Sequence, residues 1–314
     1  MFGEQPALGT VSERLATLER FPVEKEYGRC LNSLVRVGAV SLLPREESLG
    51  VIGLDGEEYA LPTPQEVTHL FDRNKNLVEE KMRQGFTRLQ LVPFATPLVV
   101  LRDLAKVAIL KHARKGQIFQ TKRNPSNPDV AVAVNTEEPL WMWDSYLTGE
   151  SNGGLIYLPS YFSSNPQGIT KPALIQRPDI CAVPGWSVTL VEDSPFLAQP
   201  GQGSKVGGRA QLETNHSPHE YLQTLQHPEY QGETGFTPED LLIDFLTRLE
   251  ETNQVSHDWH DNSAAWLTGA YFPQEGFVPG GYWYRDVQKL NLDRYYPDNR
   301  DAGWGASSTV RLKP

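Results

Sequence analysis

FVPGGYWYRDVQKLNLDRYYPDNRDAGWGASSTVRL, residues 277–312, is the stretch on which the reading of this chain turns. It opens with Gly280-Gly281-Tyr282-Trp283 and closes on Ser308-Thr309-Val310-Arg311-Leu312. Between them stand Tyr, Asp, Asn, Arg and Trp, with hardly an aliphatic residue. Tyrosine and tryptophan give rigid, amphipathic contact area at low entropic cost, and Arg, Asp and Asn add directional polar contacts. A core element would show aliphatic residues with a period of 2 or 3.6, and no such period is evident here. A solvated loop near a terminus has much the same composition, so the flanking sequence has to decide.

The whole chain has 314 residues, 39% hydrophobic and 22% charged, which is the balance of a folded globular protein. A net charge of -10 argues against nucleic acid or anionic lipid as partners, since both require a basic face. The one basic run, Lys111-His112-Ala113-Arg114-Lys115, falls where a helix should end and where cations complement the helix dipole. No segment approaches the roughly 20 apolar residues of a membrane span, so no membrane insertion is expected. The N-terminus lacks a basic segment followed by an apolar run, so no signal peptide is read, and a cytoplasmic or virion-associated location is expected. Two distant cysteines, Cys30 and Cys181, make no disulfide framework.

Taken in order, the chain predicts an α+β fold. A helix is expected around Val11 to Leu18. Gly50 to Leu54 and Glu57 to Leu61 flank Asp55-Gly56, a strong hairpin signal because both turn positions favour positive φ. Thr63-Pro64-Gln65-Glu66 is a capping box with Pro at the first helical position, opening a helix that runs to Gly85. Leu89, Leu91 and Val92 form a strand, and Thr96-Pro97 starts a second helix through Leu110 to Gly116. Residues 1–125 thus read as a small α/β unit, a tether or assembly module. Residues 122–129, KRNPSNPD, are rich in turn formers and mark the expected boundary with a second domain, residues 126–314. In that domain Leu140 to Trp143 reads as a buried aromatic cluster and Trp186 to Glu192 as a strand. Capping boxes at Ser217-Pro218-His219-Glu220 and Thr237-Pro238-Glu239-Asp240 open two further helices.

Few residues carry chemistry in a recognised pattern. His216-x-x-His219-Glu220 has a zinc-like look, but Pro218 places His216 before the helix and Glu220 serves the cap. His257-Asp258-Trp259-His260-Asp261-Asn262 offers ligands for calcium or a transition metal, but reads better as a polar loop after a helix C-terminus. The glycine-rich segment 201–209 has neither phosphate-loop nor dinucleotide spacing, and no Gly-x-Ser-x-Gly elbow occurs. No catalytic residue, cofactor or metal site is read, so no enzyme is expected.

The C-terminal stretch, with Gly280-Gly281-Tyr282-Trp283, then Pro297-Asp298-Asn299-Arg300-Asp301, then Gly305 and Val310-Arg311, resembles the end of a C-type-lectin fold of the formylglycine-generating-enzyme (sulfatase-modifying factor) type. That family shows Gly-Gly-Ser-Trp, an Asn/Arg-rich loop and Gly-Phe-Arg; here Tyr282 stands in place of Ser, and the close is SSTVRL. The enzymes of that group use a cysteine pair in this region, which this chain lacks, so their activity does not carry over. The closer resemblance is to the variable proteins of diversity-generating retroelements, in which adenine-directed mutagenesis rewrites the last codons and the C-type-lectin fold displays the products. It implies a C-terminal C-type-lectin-like domain, preceded by the small α/β unit, that binds varied protein ligands. Trp283, Val287, Leu290, Leu292, Val310 and Leu312 would be the fixed frame. The displayed, ligand-binding set would be Tyr282, Tyr284, Arg285, Asp286, Asn291, Asp293, Tyr295, Tyr296, Asp298, Asn299, Asp301 and Trp304. Two alternatives stay open: a metal-dependent enzyme or sugar-binding member of the same fold using the 257–262 loop, and a virion structural protein with no variable function.

Overall fold

Capping chemistry and apolar spacing account for most of the elements in the computed structural model, which describes residues 21–194 and 196–314. The helix expected around Val11 to Leu18 lies outside the described residues. Helix α1 (Val23–Val37) buries Val23, Tyr27, Cys30, Leu34 and Val37 at three- and four-residue spacing, and ends where Gly38 takes a left-handed φ of 74°. The hairpin of β1 (Leu49–Ile52) and β2 (Glu58–Ala60) forms as the sequence predicts, but its turn closes with Gly56 N donating to Gly53 O, and of the Asp55-Gly56 pair only Gly56 takes a positive φ, 79°. The helix expected from Thr63 to Gly85 is instead two, α2 (Pro64–Arg73) and α3 (Lys75–Arg83). Asn74 divides them: its side-chain amide donates to Leu70 O and to Lys313 O, and its backbone leaves the helical region.

Strand β3 (Arg88–Val92) leads into α4 (Leu98–Arg114), whose first amide is capped from afar: Leu98 N donates to both Glu150 carboxylate oxygens at 2.9 Å. Next come β4 (Leu140–Met142), α5 (Asp144–Asn152), α6 (Lys171–Ile175) and β5 (Ser187–Val191). All three expected capping boxes are formed, at Thr63/Glu66 on α2, at Ser217/Glu220 on α7 (Pro218–Thr224) and at Thr237/Asp240 on α8 (Pro238–Thr252). Strand β6 (Glu233–Gly235) lies between those helices. The chain closes with β7 (Ala264–Trp266), β8 (Val278–Tyr284), β9 (Lys289–Tyr295), β10 (Trp304–Ala306) and β11 (Ser308–Arg311).

The architecture is mixed α+β with several sheets. A four-stranded antiparallel sheet has the order β6-β11-β5-β3, and a five-stranded mixed sheet the order β10-β7-β8-β9-β4. Helix α8 lies at the centre, contacting α1 and α4 as well as β3 and β8. Its Leu241, Leu242, Phe245, Leu246 and Leu249 are fully buried. Residues 122–129 are the exposed run of turns that the sequence predicts. Sheet and core nonetheless run across it: β3 pairs with β5, and a single hydrophobic cluster extends from Phe21 to Leu312.

The closing stretch differs from expectation in one respect. Residues 278–295 form an antiparallel hairpin of two seven-residue strands, with Tyr282 opposite Asn291 and Gly280 opposite Asp293. A period of 2 is present after all in the central part of the hairpin, carried by Gly281, Trp283, Leu290 and Leu292 on one face and by Tyr282, Tyr284, Asn291, Asp293 and Tyr295 on the other. Glycine and tryptophan in the apolar positions hide it from an aliphatic count.

Candidate binding surface

The β8/β9 hairpin has an inner face packed on α8 and an outer face covered largely by aromatic rings. On the inner face Trp283, Leu290 and Leu292 are fully buried, and the Trp283 ring stacks on Phe245 of α8 at 6.4 Å and 9°. Gly281 belongs to that face because α8 comes too near for anything larger: a Cβ there would stand 2.0 Å from Leu241 Cδ2. The Trp283 amide donates to His257 O at 2.8 Å, which ties the hairpin to the turn that follows α8.

The outer face is paved with rings. Trp266 of β7 and Trp304 of β10 stack at 4.1 Å, Tyr295 lies 4.6 Å from Trp304, and Tyr282 lies 5.0 Å from it. A Cβ on Gly280 would meet Trp304 and Tyr295 at 2.8 and 2.9 Å, so this glycine makes room for the paving. Leu212, Tyr221 of α7 and Tyr230 close over one side of these rings and make a second, smaller core. The Tyr282 and Tyr295 hydroxyls are hydrogen-bonded to each other, and burial pushes the Tyr295 hydroxyl far above its ordinary range.

This geometry sorts the residues that the sequence places on display. Tyr296, Asp286, Asp298 and Asn299 are exposed, with Tyr296 at 61%. Tyr282, Tyr284, Arg285, Asp293, Tyr295 and Asp301 are half-buried around the ring pavement. Trp304 and Asn291 do not belong to the exposed set: Trp304 is 4% and Asn291 6% exposed. Trp304 lies beneath Tyr282 as part of the small core, and Asn291 sits mid-strand with its amide donating to Lys289 O. Val287, expected in the frame, is 40% exposed in the tight turn between β8 and β9. Trp283, Leu290, Leu292, Val310 and Leu312 are buried, as a frame requires.

The exposed residues fall at the two ends of the hairpin. At the far end Tyr296 rests on Phe277 at 4.7 Å, Asp298 meets His219 of α7 at 3.1 Å, and Arg300 pairs with Glu220. At the turn end Tyr284, Arg285 and Asp286 meet residues 257–262. Arg285 Nε donates to Asp258 Oδ2 at 2.6 Å and its Nη2 to Asp261 Oδ2 at 2.5 Å. Burial pushes the Asp258 carboxyl up, against the pull of Arg285. His257 turns inward, with Nε2 3.2 Å from Asp244 of α8, whereas His260 turns outward to Asp286, also at 3.2 Å.

The two histidines and two aspartates of 257–262 are therefore spent in opposite directions. Among the described residues no group of three or more His, Cys, Asp or Glu side chains is placed to hold a metal ion. The sequence reading weighed this segment as a polar loop or a metal loop and did not place it beside the hairpin: Trp259 lies 5.4 Å from Tyr284, and His260 lies 5.9 Å from Tyr284 and 5.2 Å from Trp259. The signal was present as a tryptophan inside an otherwise polar segment. The chain matches no known protein family, no curated protein and no solved structure.

Proposed function

We propose that this chain is a binding protein without enzymatic activity, whose C-terminal hairpin carries a replaceable recognition surface for protein partners. In this reading residues 126–314 are a C-type-lectin-like domain, and the last stretch varies in the manner of diversity-generating retroelement variable proteins. One observation carries it: Gly281, Trp283, Leu290 and Leu292 on the inner face of β8 and β9 are buried, with Gly281 and Trp283 against α8, while the turn and the loop that follows expose Asp286, Tyr296, Asp298 and Asn299. Substitutions at exposed sites usually change stability by less than about 0.5 kcal/mol, so such a face can be rewritten without unfolding the frame. Exposed tyrosines with a polar surround are the chemistry of paratopes. The metal-dependent alternative finds less support, because Asp258 and Asp261 are both engaged by Arg285.

The test is to sequence many copies of the gene, with its flanking DNA, from the source population. The reading expects substitutions clustered between codons 282 and 301, at adenine-containing positions, with a near-copy of the stretch beside a reverse-transcriptase gene. A stretch as invariant as the rest of the gene, with no template copy, overturns the diversification.

A further inference from the structure

The turn end of the face has the build of an anchor subsite. Trp259 and Tyr284 stand nearly perpendicular, at 84°, and His260 lies against Tyr284 at 26°. The Asp286 side chain, 61% exposed, is hydrogen-bonded to the Tyr284 hydroxyl and lies 3.2 Å from His260 Nε2, and among the described residues no lysine or arginine pairs with it. Arg285, next in sequence, is held by the Asp258 and Asp261 carboxylates, and Arg123 donates to the Asp261 carbonyl at 3.0 Å. The opposite side of the assembly is stiff: Asp258 is 1% exposed, and the backbone of His257 is tied to β8. Aromatic rings with negative faces beside an exposed carboxylate attract a positively charged group, more so once water is excluded. The same chain satisfies one of its own arginines on rings, with Arg294 lying 4.0 Å from the Trp143 ring and 5.2 Å from that of Phe277.

We propose that Trp259, Tyr284, His260 and Asp286 form a subsite for an arginine or lysine side chain presented by a protein partner. This rests on the reading of the outer face as a recognition surface. It adds two residues from outside the C-terminal stretch, Trp259 and His260, to the binding set, and makes Arg285 a positioning residue. The chain's net charge of -10 acts in the same sense, since it speeds encounter with basic partners and disfavours acidic ones.

The probe is a displayed library of random twelve-residue peptides, selected on the whole protein at low salt. The proposal expects recovered peptides enriched in arginine or lysine, whose affinity falls about 5- to 30-fold with Asp286→Asn or Tyr284→Ala. Circular dichroism and melting of both variants check that they remain folded; the exposed Asp286→Asn change keeps the test valid should Tyr284→Ala unfold. Neutral or acidic peptides that depend on Tyr282 or Tyr296 instead overturn the basic anchor and leave the recognition face standing. Peptides indifferent to every residue of the face count against both.

Discussion

Gly281 shows how much of this surface is set by single atoms. Adding one methyl group at that position drives it to 2.0 Å from Leu241, so Gly281→Ala should lower stability by about 1–3 kcal/mol, read from urea unfolding. The Gly-Gly pair was legible as a signature, but the reason for it, the approach of α8 on one side and of Trp304 on the other, is a tertiary fact. Trp304 was misplaced for a similar reason, since an isolated tryptophan gives no sign of which side of a strand it will occupy. Arg285 is exposed enough to look displayed, yet Arg285→Ala leaves the buried Asp258 carboxylate without its cation. A loss of about 2 kcal/mol is expected, together with a change in Trp259 fluorescence as the turn loosens.

Asp244 supplies the clearest dependence on pH. Burial alone would raise its carboxyl, but Arg248 at 2.8 Å and His257 at 3.2 Å outweigh it and hold the carboxyl well below the usual range. A depressed carboxyl contributes stability that is present above its unfolded value of about 4 and is lost as pH falls through the folded value. Asp244→Asn should therefore melt below wild type at pH 7, by the equivalent of about 3 kcal/mol, with the gap narrowing as the pH is taken under 4. A gap that does not change with pH would contradict that assignment.

At the scale of elements, the helices with side-chain caps were the most legible, because capping is local chemistry written within four residues. Thr237 and Asp240 cap α8 reciprocally, and both are buried, so Thr237→Ala should cost about 1–2 kcal/mol in denaturant unfolding. The break at Asn74 was not legible, since half of its cause is the carbonyl of Lys313, 239 residues away. Strands β8 and β9 were hidden because their apolar face uses Gly281 and Trp283 beside only two leucines. Within the candidate surface, the exposed ends could be read from composition. The place of Trp259 and His260 was hinted at by a tryptophan in a polar segment, but their contact with Tyr284 depends on the 257–262 turn folding back onto it.

For the whole molecule, the long-range pairings decide what can stand alone. Strand β3 at residues 88–92 has β5 at 187–191 as its neighbour in the four-stranded sheet, and α4 packs on α8. A fragment of residues 1–125 should accordingly fail to give a cooperative melt. A protease cut within the exposed 122–129 turns should leave two pieces that co-elute under native conditions. The composition of that segment was read correctly as turns, but composition carries no information about which strands lie beside each other across it.

The central claim is that a locked inner face leaves the outer positions free to vary. It is tested most directly by randomising Tyr284, Asp286, Tyr296, Asp298 and Asn299 together, selecting for protease-resistant folded protein, and sequencing the survivors. A parallel library over Trp283, Leu290 and Leu292 serves as the control. The account predicts survivors of nearly all residue types at the five outer positions and only apolar survivors at the three inner ones. Survivors that keep Tyr284, Asp286, Tyr296, Asp298 and Asn299 as they stand would show that those side chains hold the fold, and would contradict it.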